Sequence, residues 1–175
     1  MTSFATLPGP DALRVVVVGA GVMGQAWLRT IAATPDVELV GIVDVDHAAA
    51  ARAAAAHDPD VAIGDSLTAV AERTGAQAVI DVTAPAAHRA VNTEALLGGL
   101  PVLCEKPIAP TVAETLALAA TAELSGQLLM TSQSRRYYPA LAQLKGMTAL
   151  LGDVGLVTTE FFRAPRFDGF RVEMV

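Results

Sequence analysis

The stretch Val15-Val16-Val17-Val18-Gly19-Ala20-Gly21-Val22-Met23-Gly24 decides the fold, together with the apolar run Val37 to Val43 that ends on Asp44. An unbroken run of branched apolar residues reads as a short strand buried on both faces. It breaks into G-x-G-x-x-G, a helix-like segment and a second such strand, with an acid 20 residues after Gly24. Each part has a task in a dinucleotide site. Gly19 permits the tight turn, Gly21 lets the backbone approach a pyrophosphate, and Gly24 lets helix and strand pack closely. The helix start, with Val22 and Met23 in its first turn, offers unpaired N–H groups and a positive dipole end to phosphates. Asp44 stands where a carboxylate accepts hydrogen bonds from the adenosine ribose. Glycines alone also mark ordinary turns; the coincidence of strand, turn, helix, strand and acid makes the reading specific.

Asp44 also bears on the choice of cofactor. A carboxylate there repels a 2′-phosphate, and Val45, Asp46 and His47 follow it with no arginine among them. NAD is therefore expected over NADP, with Arg52, two helical turns on, as the one cation that would weaken the preference. The competing task for Asp44 is to cap the next helix, which Asp46 can do instead.

Outward from this core, apolar runs alternate with alanine-rich helical segments. Strands are expected at Arg14–Val18, Val37–Val43, Val61–Gly64, Ala78–Val82, Val102–Cys104 and Gln127–Thr131. Helices are expected near Met23–Ala33, Ala48–His57, Leu67–Arg73, Ala86–Gly98, Val112–Ser125 and Tyr138–Leu150. Ser66 caps its helix, and Thr111 with Glu114 forms a capping box. Continuous apolar strands separated by helices predict an α/β fold, a doubly wound parallel sheet with right-handed crossovers. The expected organisation is a flexible tail over residues 1–12, a dinucleotide-binding domain over 13–135, and over 136–175 a linking helix and first strand, Leu156–Phe162, of an incomplete α+β domain.

Composition narrows the function classes. Hydrophobic residues make up 53% of the 175-residue chain and charged residues 17%, which is globular and not disordered. A net charge of −6 without a basic stripe argues against a nucleic-acid partner. No apolar segment approaches the roughly 20 residues of a membrane span. The N-terminal stretch lacks the pattern of a secretory signal, and one cysteine, Cys104, suits a reducing compartment. A cytoplasmic location follows as the expectation. Cys104 reads as core, and His47 and His57 lie on the second helix with no carboxylate cluster, so no metal site is expected.

In an open parallel sheet the carboxyl ends of the strands form the ligand crevice. Three further groups belong on that rim. Glu105-Lys106-Pro107 follows the fifth strand, and Lys106 is one of two lysines against ten arginines. Its ammonium either hydrogen-bonds a substrate hydroxyl and helps a proton leave, or is a solvated loop lysine. Thr83-Ala84-Pro85 follows the fourth strand, with His88 one turn into the helix; His88 either touches the nicotinamide side of a cofactor or packs within the protein. Gln133 to Pro139 follows the sixth strand, where Arg135 and Tyr137 either bind substrate carboxylate or hydroxyl groups or begin a charged helix.

Taken together, these pieces resemble the N-terminal domain of the Gfo/Idh/MocA oxidoreductases. The resemblance rests on Gly19–Gly24, Asp44, Thr83 and Pro85 with His88, Glu105-Lys106-Pro107, and Arg135-Arg136-Tyr137-Tyr138-Pro139; Leu151-Gly152-Asp153-Val154-Gly155 resembles the turn into the family's second domain. It implies NAD(P)-dependent hydride transfer to or from a hydroxyl-bearing carbon of a sugar, polyol or related small molecule. It also implies that Lys106 faces the substrate and that Pro107, with Glu105, shapes the loop beside the nicotinamide. The resemblance also implies a second domain that supplies an acid/base histidine, much of the substrate pocket and an oligomer interface, and these 175 residues are expected to hold only its start. The chain is accordingly expected to bind cofactor better than it turns over substrate, as part of a homo-oligomer or with a complementary chain. The alternative is a non-catalytic NAD-binding module or redox-sensing partner.

Overall fold

The computed structural model describes residues 11–153, 155–160 and 162. Six strands form one parallel sheet: β1 (Leu13–Val18), β2 (Val37–Val43), β3 (Ala62–Gly64), β4 (Ala78–Asp81), β5 (Val102–Cys104) and β6 (Leu129–Thr131), in the order β3-β2-β1-β4-β5-β6. Between them run helices α1 (Val22–Ala32), α2 (His47–His57), α3 (Leu67–Thr74), α4 (Pro85–Leu97) and α5 (Val112–Ser125). The chain reverses its direction of winding between β1 and β4, which is the topological switch point of a doubly wound sheet.

The central strands carry hydrophobic residues on both faces because both faces are covered. Val15, Val17, Ile42 and Ile80 pack with Leu28 and Ile31 of α1 and Ala50, Ala53 and Ala54 of α2. Val16, Val18, Val79 and Val102 pack on the other side with Val70 of α3, Leu96 of α4 and Ala122 of α5. The alanine run of α2 lets helix and sheet approach closely, and Ala50 and Ala53 are fully buried. On the α1 face an apolar groove of about 420 Å³ is lined by Leu13, Trp27, Ile31, Leu103 and Met130 among others.

Local chemistry sets the helix boundaries. Asp46 caps α2 by accepting from the amides of Ala48 and Ala49, Ser66 caps α3 by accepting from Ala69, and Thr111 caps α5 by accepting from Glu114. The capping box is reciprocal only in part, because the Glu114 carboxylate accepts from the Thr111 hydroxyl at 2.8 Å. Gly75 and Gly126 end α3 and α5 in the left-handed region.

The chain divides into two compact units, after Ser132. This boundary falls three residues before the expected one. The second unit opens with a short 3-10 helix, Ser134–Tyr137, followed by α6 (Pro139–Thr148). The expected strand Leu156–Phe162 is a correction: residues 155–160 and 162 carry no strand structure, and Leu156 and Val157 are exposed. A strand is made by its partner's hydrogen bonds and not by apolar, β-prone residues alone, and no described residue pairs with this segment. Phe161, most of the expected tail and residues 163–175 lie outside the described residues.

Candidate dinucleotide site

The strand register levels the carboxyl ends of the sheet. Val43 pairs with Val18, Val18 with Asp81, and Asp81 with Cys104. One more rung extends each pair: the amide of Gly19 donates to the Val43 carbonyl, that of Val82 to Val18, and that of Glu105 to Asp81. Asp44, the glycine turn, Thr83 and Glu105 therefore leave the sheet side by side along one rim. With strands about 4.8 Å apart, β2 to β5 spans roughly 14 Å, a line of sites for an extended ligand.

The three motif glycines separate by cause. Gly19 has φ +106°, and a Cβ there would meet the Val82 carbonyl group and the Thr83 amide at 2.9–3.0 Å. This is where the loops after β1 and β4 touch across the switch point. A Cβ on Gly24 would collide with the Gly19 carbonyl oxygen, so α1 lies directly on the turn. Gly21 is different. Its φ is −71° and ψ −163°, open to any residue, and nothing lies within 4 Å of where its Cβ would be. Among the described residues no atom requires glycine at position 21. The space before it is what a bound pyrophosphate would fill.

The helix starts tell the same story. Within the first unit, α2, α3 and α5 are capped by side chains, whereas α1 and α4, which start at the glycine turn and at Thr83–Pro85, are not. The first turn of α1 has no acidic residue. Its N–H groups and dipole are left for an anion, and Val22 and Met23 stand exposed beside it. These residues fit a dinucleotide.

Asp44 ties the rim together. One carboxylate oxygen accepts from the Ala20 amide at 2.7 Å and the other from the Asp46 amide at 2.9 Å. Four lone-pair directions are available, so ribose hydroxyls can still be accepted. Asp46 takes the capping task, and Arg52 lies 3.6 Å from Asp46, engaged with that residue.

Lys106 and Pro107 are exposed at the rim. The Glu105 carboxylate turns inward: it accepts from the Trp27 indole N–H at 3.1 Å and from the Lys106 amide at 3.2 Å. Trp27 sits one turn into α1, so the loop carrying Lys106 is fastened to the helix that carries the glycine turn. Sequence reading missed this link, since nothing local connects residues 78 positions apart.

His88 requires a correction. It is fully buried, with Nδ1 2.7 Å from the Pro107 carbonyl oxygen and Nε2 3.0 Å from that of Thr83. Both nitrogens are engaged inside the protein, so the ring presents nothing to a cofactor. Apolar packing on α4 pulls this face inward, with Asn92 buried one turn on. A carboxylate oxygen of Asp81, a ring nitrogen of His88 and Cys104 Sγ lie within 4.8 Å of one another. Asp81 accepts from the Thr83 amide at 3.0 Å and the Thr83 hydroxyl at 2.7 Å. Burial pushes the Asp81 carboxyl above its ordinary value, while the Thr83 donors and the nearby His88 pull it back. Burial pushes the Cys104 thiol up to about 12. With the thiol protonated and both ring nitrogens on carbonyls, these groups form a hydrogen-bond network as arranged. The signal in the sequence was Asp81 itself, an acid inside an apolar strand.

Arg135 and Tyr137 belong to the second unit, in its 3-10 helix, and Tyr137 is 81% exposed.

An oxidoreductase family model, Gfo/Idh/MocA with an NAD-binding Rossmann fold, matches residues 13–133. The chain belongs to this family. Inositol 2-dehydrogenase 2 of Paenarthrobacter aurescens is 33% identical over 139 residues, covering 76% of this chain and 41% of that protein. Trans-1,2-dihydrobenzene-1,2-diol dehydrogenase of Sus scrofa is 30% identical, covering 86% of this chain and 46% of that one. Among solved structures, GenD2 from gentamicin A biosynthesis, in complex with NAD, superposes with a TM-score of 0.72 at 27% identity, over 83% of this chain and 42% of GenD2. A putative NADPH-dependent oxidoreductase of Desulfitobacterium hafniense shares the fold at a TM-score of 0.76 and 18% identity, over 83% of this chain and 42% of that one. The chain thus spans less than half the length of these relatives, and what it matches is their cofactor-binding part. Among the described residues no helix is long and apolar enough to cross a membrane.

Proposed function

We propose that the chain binds NAD along the carboxyl rim as the cofactor-binding part of an oxidoreductase acting on a hydroxyl-bearing carbon of a sugar, polyol or related small molecule. The observation that carries the reading is Gly21: a glycine that no contact among the described residues requires, at the uncapped start of α1. The adenosine ribose is assigned to Asp44, the pyrophosphate to the amides after Gly21, and the nicotinamide to the rim between Thr83 and Glu105-Lys106-Pro107. The substrate class rests on the family and on relatives named as inositol and dihydrodiol dehydrogenases.

Bound nicotinamide supplies the hydride acceptor or donor. This chain's residues bind and orient. Lys106 projects from a loop held by Glu105, whose carboxylate is fixed by Trp27. Its ammonium would donate a hydrogen bond to the substrate hydroxyl oxygen and orient the reacting carbon, while the base that takes the hydroxyl proton is expected from the family's second domain. A cationic donor near the nicotinamide also stabilises oxygen charge developing there. Asp44 favours NAD over NADP, because a 2′-phosphate would approach a carboxylate whose nearest arginine candidate is occupied by Asp46.

Thermal-shift titration with NAD, NADH, NADP and NADPH tests this. A ligand at about 100 times its dissociation constant stabilises the folded state by roughly 2.7 kcal/mol. A rise with NAD(H) that exceeds the rise with NADP(H) is expected. A cooperative melt that none of the four moves would sink the proposal.

A further inference from the structure

His88 is a fully buried histidine between two carbonyl oxygens, those of Thr83 and Pro107. Carbonyl oxygens only accept. A neutral imidazole has one N–H and one lone pair, so it can satisfy one of them and must turn a lone pair toward the other. Only the ring protonated at both nitrogens donates to both. A buried cation needs a counter-charge, because an unpaired one is strongly destabilising in a low-dielectric interior. The neighbour within 4.8 Å is the carboxylate of Asp81 at the end of β4. Its other neighbours are uncharged as arranged: Cys104 on β5, whose thiol is protonated, and Asn92 one turn along α4.

The two carbonyls stand on different loops. Thr83 ends the turn between β4 and α4; Pro107 closes the Glu105-Lys106-Pro107 loop after β5. Asp81 is also bonded to the amide and hydroxyl of Thr83. His88 and Asp81 together therefore touch both walls of the rim segment assigned above to the nicotinamide.

We propose that His88 is an imidazolium paired with Asp81, and that it acts as a positioning residue, clamping the Thr83 and Pro107 carbonyls so that the two loops keep the spacing the nicotinamide needs. The positioning role rests on the cofactor reading above; the charge state of the ring does not. His88 touches neither cofactor nor substrate. It sets the place of Lys106 through the carbonyl of the next residue.

The test has two arms on the 175-residue chain. Long-range 1H–15N correlation spectra at neutral pH read the ring directly, with His88→Gln used to assign the signal. Two protonated ring nitrogens are expected; one protonated and one lone-pair nitrogen overturns the clamp, whatever the cofactor does. The second arm compares NADH with ADP-ribose, which lacks the nicotinamide. His88→Gln is expected to weaken NADH about tenfold and to leave ADP-ribose within about twofold. Equal losses for both ligands, or none, overturn the positioning role. Should His88→Gln not fold, Asp81→Asn removes the counter-charge and carries the same comparison. A wild-type chain that binds neither ligand overturns the cofactor reading and the positioning role with it, while the ring signal still decides the clamp.

Discussion

Gly21→Ala separates a glycine kept for the ligand from glycines kept for the fold. In the protein alone the substitution is nearly neutral. The backbone at φ −71° and ψ −163° suits alanine, and its Cβ would meet nothing within 4 Å. Loss of a preferred N-cap residue costs up to about 1 kcal/mol, and the reduced entropy of the unfolded chain returns about 0.4–1 kcal/mol. Gly24→Ala is the contrast, because its Cβ would run into the Gly19 carbonyl oxygen, which is backbone and cannot rotate away. It should cost at least the ~1–3 kcal/mol of an overpacked interior. For a domain of this size 1 kcal/mol moves Tm by about 3–5 °C. Gly21→Ala should therefore melt within a few degrees of wild type, and Gly24→Ala well below it. NAD at about 100 times its wild-type dissociation constant should raise the wild-type Tm by roughly 10 °C. A methyl in the pyrophosphate space that weakens binding ~100-fold leaves about 0.4 kcal/mol, a shift of only 1–2 °C. Differential scanning fluorimetry with and without NAD gives all these values. A Gly21→Ala protein that keeps the full wild-type NAD shift would refute the placement of the pyrophosphate on this turn.

Two more outcomes are expected. The Cys104 thiol is raised from its ordinary 9.0 to about 12 by burial, so the folded state holds its proton where the unfolded state has lost it. That contribution is fully present below pH 9 and is lost as pH rises toward 12; urea melts across this range should fall more steeply for wild type than for Cys104→Ala, and equal slopes would contradict the burial argument. Trp27→Phe removes the indole donor from Glu105, a half-buried bond to a carboxylate of about 1 kcal/mol after allowance for exposure. It should lower NADH affinity, read by nicotinamide fluorescence, while ADP-ribose affinity, read by isothermal titration calorimetry, holds; unchanged NADH affinity would show that the Lys106 loop does not depend on this tether.

Much of the fold was legible because its signals are local. Val15–Val18 and Val37–Val43 are uninterrupted apolar runs, which suit strands covered on both faces, and the structure places them as β1 and β2. Gly24 and Ser66 act within a few residues of themselves, so their tasks could be read from position. Leu156–Phe162 shows the opposite case. Its composition is that of a strand, but pairing is a property of two segments, and the described residues offer it none. His88 could be placed near the rim but not assigned a direction, because the choice between surface and interior is made by what packs on α4.

The sequence by itself determined the sheet, the glycine turn and the row of rim residues, since each follows from periodicity, backbone freedom or the rule that parallel strands end at one edge. Only the tertiary structure decided what those residues are bonded to. Trp27 meets Glu105, Asp44 meets Ala20, and His88 meets Thr83 and Pro107 through contacts that bring distant positions within hydrogen-bond reach. The physical reason is burial. Once packing removes a polar group from water it must find a partner within about 3 Å, and the identity of that partner is set by the register of strands and the docking of helices, which no short stretch of sequence contains.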